Sequence, residues 1–108
     1  MSKHPLFIIH PAAVEEAEKA ARWYRERSVR SAGQFVEEVN DAIDRILAAP
    51  QRWPAGPYGT RKFLLHRFPF ALVYRELPST IQVLAVAHGH RRPGYWKNPN
   101  LNGLSPDS

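Results

Sequence analysis

The spacing of hydrophobic positions changes several times along the chain, and each change marks a predicted element. Leu6–Ile9 are four consecutive apolar residues rich in β-formers, which predicts a short strand. His10-Pro11 follows, and because proline suits the first position of a helix, we expect a helix to begin there. Apolar residues then recur every three or four positions over residues 14–24, the spacing of an amphipathic helix that ends between residues 27 and 30.

A wider apolar stripe predicts a second helix over residues 31–49. Apolar side chains recur at helical spacing from residue 35 to residue 47, so this helix should bury one broad face. Ser31 is the expected N-cap, and Pro50 ends the helix. Because only a short link separates the two helices, they are predicted to form an antiparallel hairpin.

The second half of the chain has the pattern of a small sheet. A loop dense in proline and glycine occupies residues 51–60. Three short strands joined by tight turns are predicted after it, at about residues 61–67, 70–76 and 80–88. Residues 81–87 are apolar on both faces, which is typical of a central strand covered by helices.

The order of these elements separates the helices from the hairpins and predicts an α+β fold. It consists of an N-terminal strand, an antiparallel helical hairpin, and a three-stranded antiparallel sheet with the hairpin packed on one face. The 108 residues, 44% of them hydrophobic, are enough for one core, so residues 1–97 are expected to be a single domain. Residues 98–108 lack periodicity and are expected to be a flexible C-terminal tail.

Charge is divided unevenly between the two halves. Residues 1–50 carry seven Lys/Arg and eight Asp/Glu, a balance of −1, whereas residues 51–108 carry eight Lys/Arg and two Asp/Glu, a balance of +6. A positive field on the second half favours a polyanionic partner such as a nucleic acid or an acidic protein segment, with plain solubility charge as the alternative.

Composition also excludes several classes of protein. The chain contains no cysteine, which removes disulfides, thiol catalysis and thiolate metal sites. It has no apolar run long enough for a membrane span or for a signal peptide, so we expect a cytoplasmic protein with no membrane partner.

Candidate chemistry gathers on the predicted sheet and just beyond its last strand. Arginine offers paired donors that match phosphate oxygens, and lysine offers a point charge. For a phosphate-cleaving site, the candidate catalytic residues are Arg91, His90, which titrates near neutral pH, and Tyr95, which can donate a proton or stack on a base. The candidates for binding a target or RNA are Arg61, Lys62, His66, Arg67 and Arg92.

Other interpretations of the same residues stay open. His88 and His90 share one strand face, but no third ligand is near in sequence, so neither a metal nor a cofactor is predicted. His88 is expected to be a structural histidine. Tyr95 and Trp96 are large aromatics near the chain end, and they can equally pack against the sheet, leaving the arginines as a solvated surface.

Several segments resemble RelE/ParE-type toxins, the poison components of bacterial type II toxin–antitoxin (plasmid-stabilisation) modules. In the second half these segments are LLHRFPF at 64–70, LVYR at 72–75 and VLAVAHGHRRPGYW at 83–96. In the first half they are FIIHPAA at 7–13 and AARWY at 20–24. The resemblance covers residues 6–97 and implies the same α+β fold.

The resemblance also implies a growth-arresting toxin held inactive in a hetero-oligomer by a cognate antitoxin. RelE-like members cut mRNA on the ribosome with basic sheet residues, and ParE-like members inhibit DNA gyrase. Arg91 matches the strand-end arginine of the family, and Arg61 and Lys62 lie near the basic pair of the nuclease branch. Ala71, however, stands where several ribosome-dependent nucleases carry arginine. An mRNA endoribonuclease, a non-enzymatic gyrase inhibitor and a non-toxic corepressor partner of a DNA-binding antitoxin are therefore the three hypotheses.

Overall fold

The computed structural model describes residues 6–89, and these residues form an α+β fold, as predicted. The two helices are α1 (Pro11–Arg25) and α2 (Val29–Ala48). The four strands are β1 (Leu6–Ile9), β2 (Arg61–Leu64), β3 (Phe70–Leu77) and β4 (Thr80–His88). Neither helix is long and apolar enough to cross a lipid bilayer.

The strands form one sheet in the order β1-β4-β3-β2. β2, β3 and β4 make the predicted antiparallel hairpins. The sequence pattern predicts no partner for the N-terminal strand, and the structure pairs β1 in parallel with β4, with the helical hairpin as the crossover that parallel pairing requires. β4 therefore lies between β1 and β3, which confirms the prediction of a central strand.

The start of α1 is as predicted, and the start of α2 is not. His10 caps α1 because its Nδ1 atom accepts the Ala12 N–H at 3.0 Å. Ser28, not the expected Ser31, caps α2, since its hydroxyl oxygen accepts the Ser31 N–H at 3.1 Å. The turn is tight because the carbonyl of Tyr24 already accepts the Ser28 N–H at 2.7 Å, so α1 ends at Arg25, before the predicted 27–30.

The main core lies between the helical hairpin and the sheet. Its largest fully buried side chains are Tyr74, Phe35, Ile46, Leu72, Ile81 and Val83. Phe35 sits in a ring cluster with Tyr24, Phe68 and Phe70. Trp23 is half exposed, because it lies on the side of α1 that the rest of the hairpin does not cover.

Two glutamates join the helices to the sheet. The Glu16 carboxylate on α1 accepts the Val86 N–H at 2.8 Å. This donor is available because β1 pairs with β4 only as far as Val83, and no other strand of residues 6–89 pairs with that edge of β4 beyond this point. A helix carboxylate thus completes the hydrogen bonding of the central strand.

Glu38 on α2 does the same for the turn between β2 and β3. Its carboxylate accepts the backbone N–H groups of His66 and Arg67, the latter at 3.1 Å. These amides point to α2 and not to a neighbouring strand. This is why β2 ends at Leu64 instead of continuing to residue 67 as predicted.

Tyr74 ties the sheet to the end of α2 and gives a pH-dependent prediction. Its hydroxyl donates to the carbonyl of Pro50 at 2.6 Å. Burial raises the pKa of Tyr74 to about 12, partly offset by the cation of Arg61. The unfolded chain releases this proton near pH 10 and the folded chain holds it to about 12, so the stabilisation from Tyr74 is complete below pH 10 and is lost as pH rises to 12.

The comparison of wild type with Tyr74→Phe isolates this contribution, because the variant has no phenol to titrate. The excess free energy of unfolding of wild type over the variant should fall between pH 10 and pH 12, measured by urea denaturation at each pH. An excess that stays constant over this range contradicts the assignment.

Candidate functional site

Four of the predicted binding residues lie on the edge strand β2 and the turn that follows it: Arg61, Lys62, His66 and Arg67. Side chains directly opposite each other in antiparallel strands share a face. Arg61 pairs with Tyr74 and therefore faces the helices, whereas Lys62 pairs with Val73 and faces the opposite side. The two neighbouring cations thus cannot act together on one substrate group.

Arg61 is engaged inside the fold. Its Nη1 atom donates to the carbonyl of Trp53 at 2.6 Å, and its side chain is half-buried. Trp53 in turn packs edge-on against Phe63, with ring centroids 4.5 Å apart. Arg61 therefore holds the loop of residues 51–60 against β2. This structural role explains why an arginine stands there, without a bound phosphate.

The opposite face of the sheet carries small buried residues around Lys62. Val73, Ala85 and Ala87 form a second buried cluster there. Ala71 alternates with the core residue Leu72, so it lies on this same face, and it is only 3% exposed. This position of β3 is thus a buried methyl group beside Ala87, its partner on β4.

His66 and Arg67 occupy the turn between β2 and β3. Both side chains are exposed, and the backbone amides of both residues bind Glu38. The turn therefore presents an imidazole and a guanidinium next to the acidic side of α2. They are separated by the sheet edge from the face that carries Lys62 and Ala71.

The remaining predicted site residues, His90, Arg91, Arg92 and Tyr95, lie outside the described residues. His88, the last residue of β4, is half-buried, and its ring lies edge-on to Phe70 with centroids 5.1 Å apart. Within residues 6–89, no group of three His, Cys, Asp or Glu side chains is placed to hold a metal ion.

Glu16 and Glu38 are positioning residues that the sequence patterns miss. Both belong to amphipathic helices, where a glutamate ordinarily marks the solvent side. Each instead accepts a backbone N–H from the sheet, 70 residues away for Glu16 and 28 residues away for Glu38. The one available signal is that β1 is too short to pair with the whole of β4. Some backbone N–H groups of β4 therefore need another acceptor, such as a helix carboxylate.

The arrangement of a helical hairpin on one face of a small sheet has a counterpart among solved structures. A chain in the structure titled "Chromosomal ParDE TA system from P. aeruginosa" superposes with a TM-score of 0.68 at 17% identity. The match covers 81% of this chain and 98% of that chain, and at this identity it shows the fold alone. A comparison with curated protein sequences finds no match.

The family model of the ParE toxin of the type II toxin–antitoxin system parDE matches residues 7–93. This span contains every described element except the first residue of β1. The chain therefore belongs to the ParE toxin family.

Proposed function

We propose that this protein is the toxin of a type II toxin–antitoxin pair that arrests growth by binding DNA gyrase, without cleaving RNA. A cognate antitoxin, with which it forms a hetero-oligomer, holds it inactive. Membership of the ParE family supports the toxin role. The observation that carries the choice of target is the buried Ala71, which stands where the resemblance places an arginine in several ribosome-dependent nucleases.

The described cations support a non-enzymatic action. Cleavage of a phosphodiester needs cations and an acid–base pair directed at one phosphate. Here Arg61 is bound to the Trp53 carbonyl, Lys62 lies on the other face, and His66 is on a turn held by α2. A protein that only binds its target has no need of such convergence.

Exposed apolar side chains support a partner protein. A groove of about 590 Å³ runs between α1 and α2, and Val14 and Val36 on its rim are 39% and 45% exposed. Its apolar floor includes Val39 and Ile43, and the cations of Arg22 and Arg25 stand on the α1 side. An antitoxin segment with apolar and acidic residues would cover both features.

The proposal predicts which synthesis fails first in a bacterium that expresses the protein without antitoxin. DNA synthesis should fall before protein synthesis, because gyrase inhibition stalls replication directly. Pulse-labelling of DNA and protein separately, at short intervals after induction, measures this order. Early loss of protein synthesis would instead favour the ribosome as the target.

A matched variant separates binding from chemistry. His66→Gln keeps hydrogen-bonding capacity but cannot serve as an acid or base near neutral pH. Growth arrest should persist in this variant at equal expression. Its loss in a folded protein would indicate that His66 transfers a proton, contrary to the proposal.

A further inference from the structure

The end of α1, the start of α2 and the turn between them form a positively charged surface. Five cations occur between residues 19 and 30, against a single carboxylate, Glu26. We call this surface the hairpin tip; its cations are Lys19, Arg22, Arg25, Arg27 and Arg30. All five side chains are exposed. The net charge of residues 1–50 does not reveal them, because Glu15, Glu16 and Glu18 on α1 offset them in the sum.

Most of these cations are unneutralised. The ion pairs among residues 6–89 are Arg27–Glu26, at 3.7 Å, and Arg45–Asp41, at 2.8 Å. Glu15 and Glu18 stand four residues before Lys19 and Arg22, a spacing that permits pairing on a helix, but neither pair closes to 4.0 Å.

The helix dipoles explain only part of this arrangement. Arg22 and Arg25 are in the last turn of α1, where a cation is favourable. Arg30 is in the first turn of α2, where the positive end of the helix disfavours a cation, and this turn contains no acidic residue. The helix dipole of α2 does not explain the presence of Arg30, whereas a bound anion would stabilise it.

Trp23 adds an aromatic surface to the hairpin tip. It is 50% exposed, and the guanidinium of Arg27 lies 3.7 Å from its ring centroid. Tyr24 packs edge-on against it at 5.0 Å. Arginine stacked on a half-exposed indole is a platform on which bases of single-stranded nucleic acids stack.

A cavity of about 430 Å³ opens beside Trp23, between α1 and the adjoining ends of β3 and β4. Phe70 and Tyr24 contribute aromatic walls to this cavity, and Lys19 and His88 contribute polar groups. Glu16 also lines it, with one oxygen on the Val86 N–H. The aromatic walls favour the flat, uncharged part of a ligand.

We propose that the hairpin tip binds a single-stranded nucleic acid. One base enters the cavity against Trp23, and the flanking phosphates contact Lys19 and the arginines of the tip. An acidic peptide would use the charge but not the aromatic cavity, and a duplex would keep its bases stacked away from it. Arg22 and Arg25 also line the groove proposed for the antitoxin, so the test uses the chain without antitoxin. Single-strand binding and gyrase inhibition are measured in separate assays, so either can fail without the other.

The test is fluorescence anisotropy of a labelled 12-nucleotide single strand with the purified full chain, over a range of NaCl concentrations. The charge variant is Arg22→Gln with Arg25→Gln. The matched control is Arg45→Gln with Arg75→Gln, which removes the same charge from exposed sites away from the tip. Arg45 is 15 residues beyond Arg30 on α2, about 22 Å along the helix axis.

Binding should weaken as salt rises, and the charge variant should reduce the log–log salt slope by about 1.4, at about 0.7 for each lost phosphate contact. The control should keep the wild-type slope. Trp23→Leu should weaken binding by about 5- to 150-fold, the range expected for loss of one base stack.

Four results would overturn the inference. Equal log–log salt slopes for the charge variant and its control would show that binding depends on net charge and not on the hairpin tip. Equal affinity for the matching duplex, or equally effective competition by a poly-glutamate peptide, would show that no base is bound. Unchanged affinity in Trp23→Leu, with a far-UV circular dichroism spectrum like wild type, would exclude the aromatic platform.

Discussion

Phe35→Ala is expected to remove about 3–5 kcal/mol from the free energy of unfolding. Phe35 is 1% exposed and contacts the rings of Tyr24, Phe68 and Phe70, with centroids within 5.5 Å of its own. These rings come from α1, the β2–β3 turn and β3, so the cavity would lie where three elements meet. Domains are stable by about 5–15 kcal/mol, and the variant should therefore lose a large share of its stability.

Val36→Ala is the matched control, because it shortens the next side chain of the same helix. Val36 is 45% exposed, and alanine favours the helix, so we expect a change within about 0.5 kcal/mol. Urea denaturation followed by circular dichroism measures both variants. A loss below about 1 kcal/mol for Phe35→Ala would mean that the aromatic cluster is not the centre of the core.

Glu38→Ala is expected to cost about 1–2 kcal/mol and to loosen the turn that carries His66 and Arg67. Its carboxylate accepts the N–H groups of both residues. Hydrogen bonds to a charged group contribute about 1.5–3 kcal/mol, but this turn is exposed, and water recovers part of the loss. Denaturation measures the cost, and hydrogen exchange at the two amides reports the turn itself.

Glu37→Ala is the control for this variant. It removes the same charge from the same turn of α2, but Glu37 is exposed and makes no hydrogen bond or ion pair with other residues of the 6–89 segment. Its stability should stay within about 0.5 kcal/mol of wild type. Amide protection that survives at His66 and Arg67 in Glu38→Ala would contradict the role assigned to this carboxylate.

The elements were predictable where burial alone sets the pattern. The stripe of α2 and the apolar run of β4 follow from the faces that each must bury. Ser28 and Ser31 illustrate the limit, because both can cap a helix and the choice depends on the Tyr24 carbonyl that closes the preceding turn. The end of β2 could not be predicted, since it depends on Glu38, 28 residues earlier.

The candidate site was less predictable than the fold. Arg61 and Lys62 are adjacent on a strand, so their placement on opposite faces follows from the period of two. The bond from Arg61 to the Trp53 carbonyl depends on how the loop before β2 folds back, which no periodicity encodes. The exposure of Trp23 was not predictable, because an apolar residue at helical spacing does not reveal which side of the hairpin is left uncovered.

The hairpin tip was missed for a related reason. When the chain is divided at residue 50, the first half has a net charge of −1. Carboxylates early on α1 and along α2 balance its cations in number. In space they do not balance, since the cations gather where α1 ends and α2 begins. Net charge over a segment hides such a separation, whereas the folded arrangement shows it.

The central claim is that this ParE-family chain inhibits gyrase by binding. It is tested most directly by supercoiling of relaxed plasmid with purified gyrase and ATP, titrated with the purified chain. A parallel translation reaction with purified ribosomes reports whether mRNA is cut. Loss of supercoiling near stoichiometric protein, with mRNA intact, is the predicted result, and undisturbed supercoiling at excess protein would contradict it.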